Sequence, residues 1–326
     1  MSKALSMKNQ TISREIWSFD RMRQYGLIIS LLILCIVMSF LSDNFFSISN
    51  LLNVARQVSV TAISAVGMTL IIIIGGIDLS VGSILALSGI MAATVYNSSH
   101  SPILALVTGI LAGAAVGLIN GFVTAKGKIA GFITTLATMS VFRGISFIYT
   151  GGVPVEAANP NFKYFGTGYF LNIPVPIIIM IIVLLMGSFI MNRTRFGRYI
   201  YAIGGNEQTS KWSGLKVDSV KIYVYMLSGL LTGLAGVILT ARLASGQPYA
   251  GQGFELDVIA AVIVGGTSLA GGRGNISGTI IGVLLIGILS NGLTLLNVSS
   301  YYQMVIKGII IILAVLIDTL GRRNKG

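Results

Sequence analysis

Apolar positions in this chain form long unbroken runs, separated by short polar or glycine-rich stretches. The runs cover about residues 25–41, 54–74, 79–96, 102–125, 130–149, 173–191, 222–241, 256–266, 275–296 and 303–320. Most approach the roughly 20 residues that an α-helix needs to cross a bilayer; the run 256–266 is short, which leaves a partly re-entrant element open beside a full span. Continuous apolarity, without period-two alternation, predicts spanning helices and excludes a barrel. The expected fold is an all-α polytopic membrane protein with about ten transmembrane helices. The run 102–125 carries Gly109, Gly113, Gly117 and Gly121. Glycines four residues apart share one helix face and predict a close-packing ridge.

Two stretches interrupt the pattern. Gly265-Gly-Thr-Ser-Leu-Ala-Gly-Gly-Arg-Gly274 divides one long apolar tract, and Gly75-Gly-Ile-Asp-Leu-Ser-Val-Gly82 divides an earlier one. Non-helical backbone survives in a bilayer only where protein or a water-filled cavity covers it. Both stretches therefore predict tight re-entry points inside the bundle. At a constant offset Gly75, Gly76, Leu79 and Gly82 match Gly265, Gly266, Leu269 and Gly272. Paired interruptions point to a transport path, although helix-packing glycine would also align in part. Asp78 lies in the first break. An intramembrane carboxylate is a functional candidate, and with Ser80 it also suits capping of the helix that starts near Leu79.

Charge fixes the orientation. The chain is 54% hydrophobic and 10% charged, against about 25% charged in soluble domains. Its net charge of +12 reflects topology, with no nucleic-acid partner implied, because Lys and Arg collect on cytoplasmic loops. With ten spans and both termini cytoplasmic, 17 of the 22 Lys and Arg fall inside. The expected organisation is a cytoplasmic segment 1–24, one membrane domain 25–320 with a cytoplasmic loop at 192–221, and a cytoplasmic tail 321–326. The basic start and the first apolar run lack a small-residue cleavage site and predict an uncleaved signal anchor. One Cys and one His exclude an intrachain disulfide and a Cys/His metal site. No phosphate-binding Gly-x-x-x-x-Gly-Lys-Ser/Thr loop is present, so ATP-driven work needs a separate subunit. No nucleophile–base pair is visible, which argues against an enzyme.

Several blocks resemble the permease subunits of bacterial monosaccharide ABC importers of the ribose permease type. They are Ala65-Val-Gly-Met-Thr-Leu70 running into Gly75–Ser83, Gly197-Arg-Tyr-Ile-Tyr-Ala-Ile-Gly-Gly-Asn-Glu207, Asp257–Gly272 and Val298-Ser-Ser-Tyr-Tyr-Gln303. They extend over roughly residues 40–318. The resemblance implies a bacterial inner-membrane permease that imports a pentose or hexose, such as ribose or allose. It implies a second copy of the chain, an ABC ATPase and a periplasmic sugar-binding protein as partners. No cofactor is expected on this chain; ATP and Mg belong to the ATPase. The competing class is an ion-coupled secondary transporter, which needs carboxylates within its spans. Asp78 and Asp318 are the only acids within or at the inner ends of the expected spans, which disfavours it.

Candidate residues fall into three groups. In the loop 192–221, Gly204 and Gly205 allow a turn, Asn206 suits an N-cap, Glu207 suits a first turn and Gly214 suits an end. A short helix over 207–213 is predicted, and the resemblance places the ATPase-coupling element there, with Gly197 and Arg198 leading into it. Candidates for a translocation path or gate are Gln57, Gly75, Gly76, Asp78, Asn120, Arg143, Gly265, Gly266 and Asn291. A neutral sugar needs only amide and aromatic contacts along such a path. Asp43, Glu156, Lys163, Arg242, Glu255 and Asp257 are expected outside, as docking charges for a binding protein.

Overall fold

The structure is a computed structural model describing residues 25–323, so the expected N-terminal segment 1–24 and residues 324–326 lie outside the described residues. Helix α1 (Tyr25–Leu41) turns into α2 (Ile48–Ile73), whose first turn is capped by Ser47 accepting from the Asn50 N–H. This cap starts α2 six residues before the apolar run, because Asn50 and Asn53 made its first turns look like loop. Next come α3 (Val81–Ser99), α4 (Pro102–Lys126) and α5 (Gly131–Thr150). Ser101 caps α4, and Pro102 occupies its first turn, where the missing N–H has no helical partner to lose.

The stretch 150–172, between the apolar runs 130–149 and 173–191, is folded. It holds β1 (Val155–Glu156), α6 (Pro160–Thr167) and β2 (Tyr169–Phe170), which pairs with β3 (Ile173–Pro174). Leu171 and Asn172 both have positive φ, the geometry of a two-residue hairpin turn. Then follow α7 (Val175–Arg193), α8 (Arg195–Gly205), α9 (Glu207–Trp212), α10 (Val217–Leu243), β4 (Ser245–Gly246), α11 (Phe254–Val264), α12 (Ile276–Leu295) and α13 (Ser300–Arg323). Strand β4 pairs antiparallel with β1, Val155 opposite Gly246.

Among the described residues, seven helices are long and apolar enough to cross a membrane: α2, α3, α4, α5, α7, α10 and α12. Helix α1 and the Ser300–Leu316 part of α13 are shorter apolar helices. With 11 residues, α11 reaches about 16 Å, roughly half a hydrocarbon core. The chain is an all-α polytopic membrane protein, and α11 is the short run among the ten.

Helix α2 lies at the centre. Its Ile63, Ile71 and Ile73 belong to one buried cluster with Val224 and Tyr225 of α10. Its Ala62, Ala65, Met68 and Ile72 belong to a second, with Val258, Ala261 and Val262 of α11. Between lipid-embedded helices such contacts hold by van der Waals fit, because lipid is as apolar as the partner helix. The four-residue glycine ladder of α4 faces α10 along its length. A Cβ at Gly113 would lie 2.8 Å from the Gly233 Cα, and one at Gly121 2.8 Å from the Ile222 Cα. Lys126 and Asp218 close this seam with a 3.3 Å ion pair.

Both glycine breaks end their helices alike. After α2 the Gly75 N–H reaches Ile72 O and the Gly76 N–H reaches Ile71 O; after α11 the Gly266 N–H reaches Ile263 O and the Thr267 N–H reaches Val262 O. In each case the first residue has positive φ, 82° at Gly75 and 99° at Gly266, as a left-handed helix cap requires. The shared cap therefore pairs Gly75 with Gly266, one residue away from the identity match of Gly75 with Gly265. Counting identical letters rewarded Gly-Gly, whereas the backbone requires one glycine at the turning point.

Candidate functional site

The two breaks meet each other, and both meet α8, at the basic end of the bundle. The Gly272 N–H donates to Ile73 O at 2.8 Å, joining the end of α2 to the second break. The Tyr201 hydroxyl donates to Gly274 O at 2.7 Å, joining α8 to that break. Gly204 sits where the three strands of backbone converge, with no room for a Cβ beside Ile73 O.

Beyond Gly204 the chain turns into α9 as expected. The Asn206 side chain accepts from the Thr209 N–H at 2.9 Å. The helix ends at Trp212, one residue early, and Gly214 has φ +81°. Glu207 binds Lys211 and Lys221 at 2.6 Å each, so α9 is pinned to the base of α10. Gly197 is buried against the end of α7, while Arg198 is exposed. A cavity of about 500 Å³ opens between these parts, lined by Gly75, Gly76, Lys128, Glu207, Lys221 and Tyr225.

Burial works against the Glu207 charge, but hydrogen bonds and attraction from Lys211 and Lys221 outweigh it and hold the carboxyl below its ordinary value of 4.5. A lowered carboxyl lends stability that is whole above the ordinary value and lost as pH falls through the lowered one. Glu207 is 39% exposed, so solvent discounts each pair to a few tenths of a kcal/mol, at most about 1. Glu207→Gln is expected to speed hydrogen exchange in α9 about two- to five-fold at neutral pH and to remove its acid dependence below pH 4.5. Exchange equal to wild type at neutral pH would show that the pairs do not hold the helix.

Asp78 is fully buried under the first break. Its carboxylate accepts from the Ser80 N–H at 2.8 Å and from the Ser80 hydroxyl. The Ser80 hydroxyl in turn accepts from the Asn120 amide at 2.8 Å. Asp78 thus orders the backbone two residues ahead, at the residue preceding α3, and does not itself cap the helix from Leu79. Thr135 of α5 accepts from the Leu79 N–H at 3.1 Å and ties α5 to the break.

The other path candidates are scattered. Asn291 forms a reciprocal amide pair with Asn50, at 2.8 and 3.0 Å, joining α12 to α2. Gln57 is exposed on α2. Arg143 donates to the Pro248 and Ala250 carbonyls at 2.6 Å each. Gly265 packs directly on Gly278 of α12.

Of the charges expected outside, Asp43 and Glu156 are exposed, Lys163 lies on α6, and Arg242 is half-buried in the last turn of α10. Glu255 and Asp257 differ from expectation. Both sit in the first turn of α11, inside the bundle; the Glu255 carboxylate lies over Gly82, and Asp257 pairs with Lys307 of α13 at 2.8 Å. A lone acid and a lone base in separate apolar runs must find each other, and Lys307 was the signal available in the sequence. Tyr201 and Thr135 carried no such signal, because each bonds to residues more than 50 positions away.

Residues 50–315 match the family model described as branched-chain amino acid transport system / permease component. The ribose import permease protein RbsC of Escherichia coli (strain K12) is 50% identical over 96% of this chain and 99% of that protein. RbsC of Bacillus subtilis (strain 168) is 52% identical over 95% and 97%. The D-allose transport system permease protein AlsC of E. coli (strain K12) is 41% identical over 91% and 92%. A solved metal-chelate type ABC transporter aligns at TM-score 0.49 with 15% identity, over 90% of this chain and 95% of that one, too distant for any inference. The family match, the similarity over nearly full length and the seven candidate spans agree: the chain belongs to this permease family and is the multi-pass inner-membrane subunit of an ABC importer, not an enzyme.

Proposed function

We propose that this chain is the permease subunit of a ribose importer, moving the free sugar delivered by a periplasmic binding protein. The observation that carries the sugar is the identity of 50% and 52% to two ribose permeases from distant bacteria, against 41% to an allose permease. Amino acids, the cargo in the family description, fit less well with these relatives. The ion-coupled alternative does not fit the family.

Ten membrane elements, with α11 as a half-span and both termini cytoplasmic, put the basic end inside. There α9 is the knob that an ATPase carrying ATP and Mg grips. Its motion reaches both breaks, because Gly204, Ile73 and Gly272 form one junction. The cavity beside Gly75 and Gly76 opens to the cytoplasm as the exit. Asp78 and Asn120 shape that break, Gly265 and Gly266 the other, and Gln57 and Arg143 lie nearer the entrance. Asn291 serves structure through Asn50. At the outer end Asp43, Glu156, Lys163 and Arg242 are the docking charges for the binding protein. Glu255 and Asp257 are engaged inside the bundle.

Two copies work together. The exposed Ile133, Leu136, Val141 and Ile148 of α5 offer an apolar face that a second copy can cover.

Uptake is measured in proteoliposomes holding this chain with the ATPase and binding protein encoded beside it. ATP-dependent ribose entry that needs all three components is the expected result. Uptake by this chain alone on a proton or sodium gradient would overturn the function, and uptake of allose alone would overturn the sugar.

A further inference from the structure

Between α10 and α11 the chain takes an unusual course. It leaves α10 at Leu243 and re-enters the bundle as irregular backbone. A Cβ at Gly246 would lie 2.9 Å from the Ile90 Cα, and one at Gly251 3.1 Å from the Gly82 Cα. Gly82 and Ile90 are eight residues apart on α3, so this segment descends about 12 Å along that helix. It occupies the half of the bundle that the short α11 leaves unfilled.

Irregular backbone at such depth must find its hydrogen bonds within the protein. Inside the segment, the Ala250 N–H reaches Gln247 O and the Gln252 N–H reaches Tyr249 O. The Pro248 and Ala250 carbonyls both accept from one nitrogen, Nη1 of Arg143 on α5. The Tyr249 ring meets Phe147 of α5 edge to face at 4.7 Å. Gly251 and Gly253 have φ of 72° and 76°, which glycine alone adopts readily. The segment is therefore anchored at β1, held along α5 by one arginine and one ring, and hinged by glycine where it joins α11. The Glu255 carboxylate stands over Gly82 beside the lower hinge.

We propose that residues 245–253 form a strap closing the outer half of the path, that Arg143 is its latch, and that a neutral sugar opens it by taking over the latch bonds. The proposal rests on the import of a sugar. Its chemistry is an exchange of like for like. Sugar hydroxyls donate to the two carbonyls that Arg143 releases and accept from the freed guanidinium, while Glu255 offers a further acceptor. Each broken bond is replaced, so the site binds weakly and releases readily. An apolar solute has nothing to offer the carbonyls.

The test is a reversible bridge between the strap and α5. Phe147→Cys and Tyr249→Cys are combined with Cys35→Ser in the full complex, and the thiols are joined by a short bis-thiosulfonate that dithiothreitol removes. The expected result is at least a ten-fold loss of ribose uptake on bridging, restored by reduction. Bridging yield is expected to fall several-fold when ATP and vanadate trap the complex, and also when millimolar ribose is added to the resting complex. A fully bridged complex that imports at the unbridged rate would overturn the strap, as would a yield unaffected by trapping. A yield that responds to trapping and not to ribose would overturn the sugar-for-latch exchange while leaving a moving strap. If the unbridged complex imports no ribose and the yield still responds to trapping, the strap stands and the assigned cargo fails.

Discussion

Gly204→Leu is expected to abolish ATP-driven uptake and to lower the thermal stability of the purified chain. A side chain there must push its Cβ into Ile73 O and to 2.5 Å from the Gly272 nitrogen. These two atoms are themselves hydrogen-bonded at 2.8 Å. Both obstacles are backbone, so no rotamer change makes room. Overpacking a fitted interior usually costs about 1–3 kcal/mol, and losing a buried backbone bond adds about 1–3 kcal/mol more. The specific signature is the split between readouts. ATP hydrolysis by the assembled complex should persist while sugar entry falls at least ten-fold, because the junction lies between α9 and the breaks. Uptake and melting equal to wild type would mean that the three-way contact neither stabilises nor transmits.

Gly113→Leu should act earlier, on assembly. Its Cβ would meet Gly229 O and lie 2.8 and 2.9 Å from the Gly233 Cα and nitrogen. Gly229 and Gly233 are as close to α4 as Gly113 is to α10, so neither helix can yield locally. The helices must separate along the seam, breaking the Lys126–Asp218 pair at its end. The expected effect is at or above the upper end of the roughly 1–3 kcal/mol range for overpacking. At about 1.4 kcal/mol per tenfold, that is a hundred-fold or greater shift toward the unassembled state. Size-exclusion chromatography of detergent extract reads it as loss of the monodisperse peak. A monodisperse variant with wild-type melting would mean that α4 and α10 are not in direct backbone contact. Gly144→Leu is the matched control, since nothing lies within 4 Å of a Cβ there.

What could be read in the sequence was local. The Asn206 cap, the turn at Gly214 and the ladder from Gly109 to Gly121 depend on residues within a few positions of each other, and the structure reproduces each geometry. The glycine breaks were also legible, because glycine in excess has few uses inside a span. What escaped was long-range. No periodicity joins Arg143 to Pro248 or Tyr201 to Gly274. The shortness of the run 256–266 was legible and left a partly re-entrant element open, but hydropathy could not show that the residues before it descend along α3. The hairpin at Leu171–Asn172 was hidden because its positive φ falls on Leu as well as Asn.

The shortness of α11 also has a consequence for biosynthesis. Eleven residues cannot span on their own, and their Asp257 finds its cation only on α13, fifty positions later. The inserting machinery therefore handles α11 before any partner for its charge exists. Its apolar packing on α2 is available at once, but the pairing of its carboxylate waits until Lys307 has been made. A chain truncated before Ser300 would leave Asp257 without this partner, while α11 would keep its packing on α2.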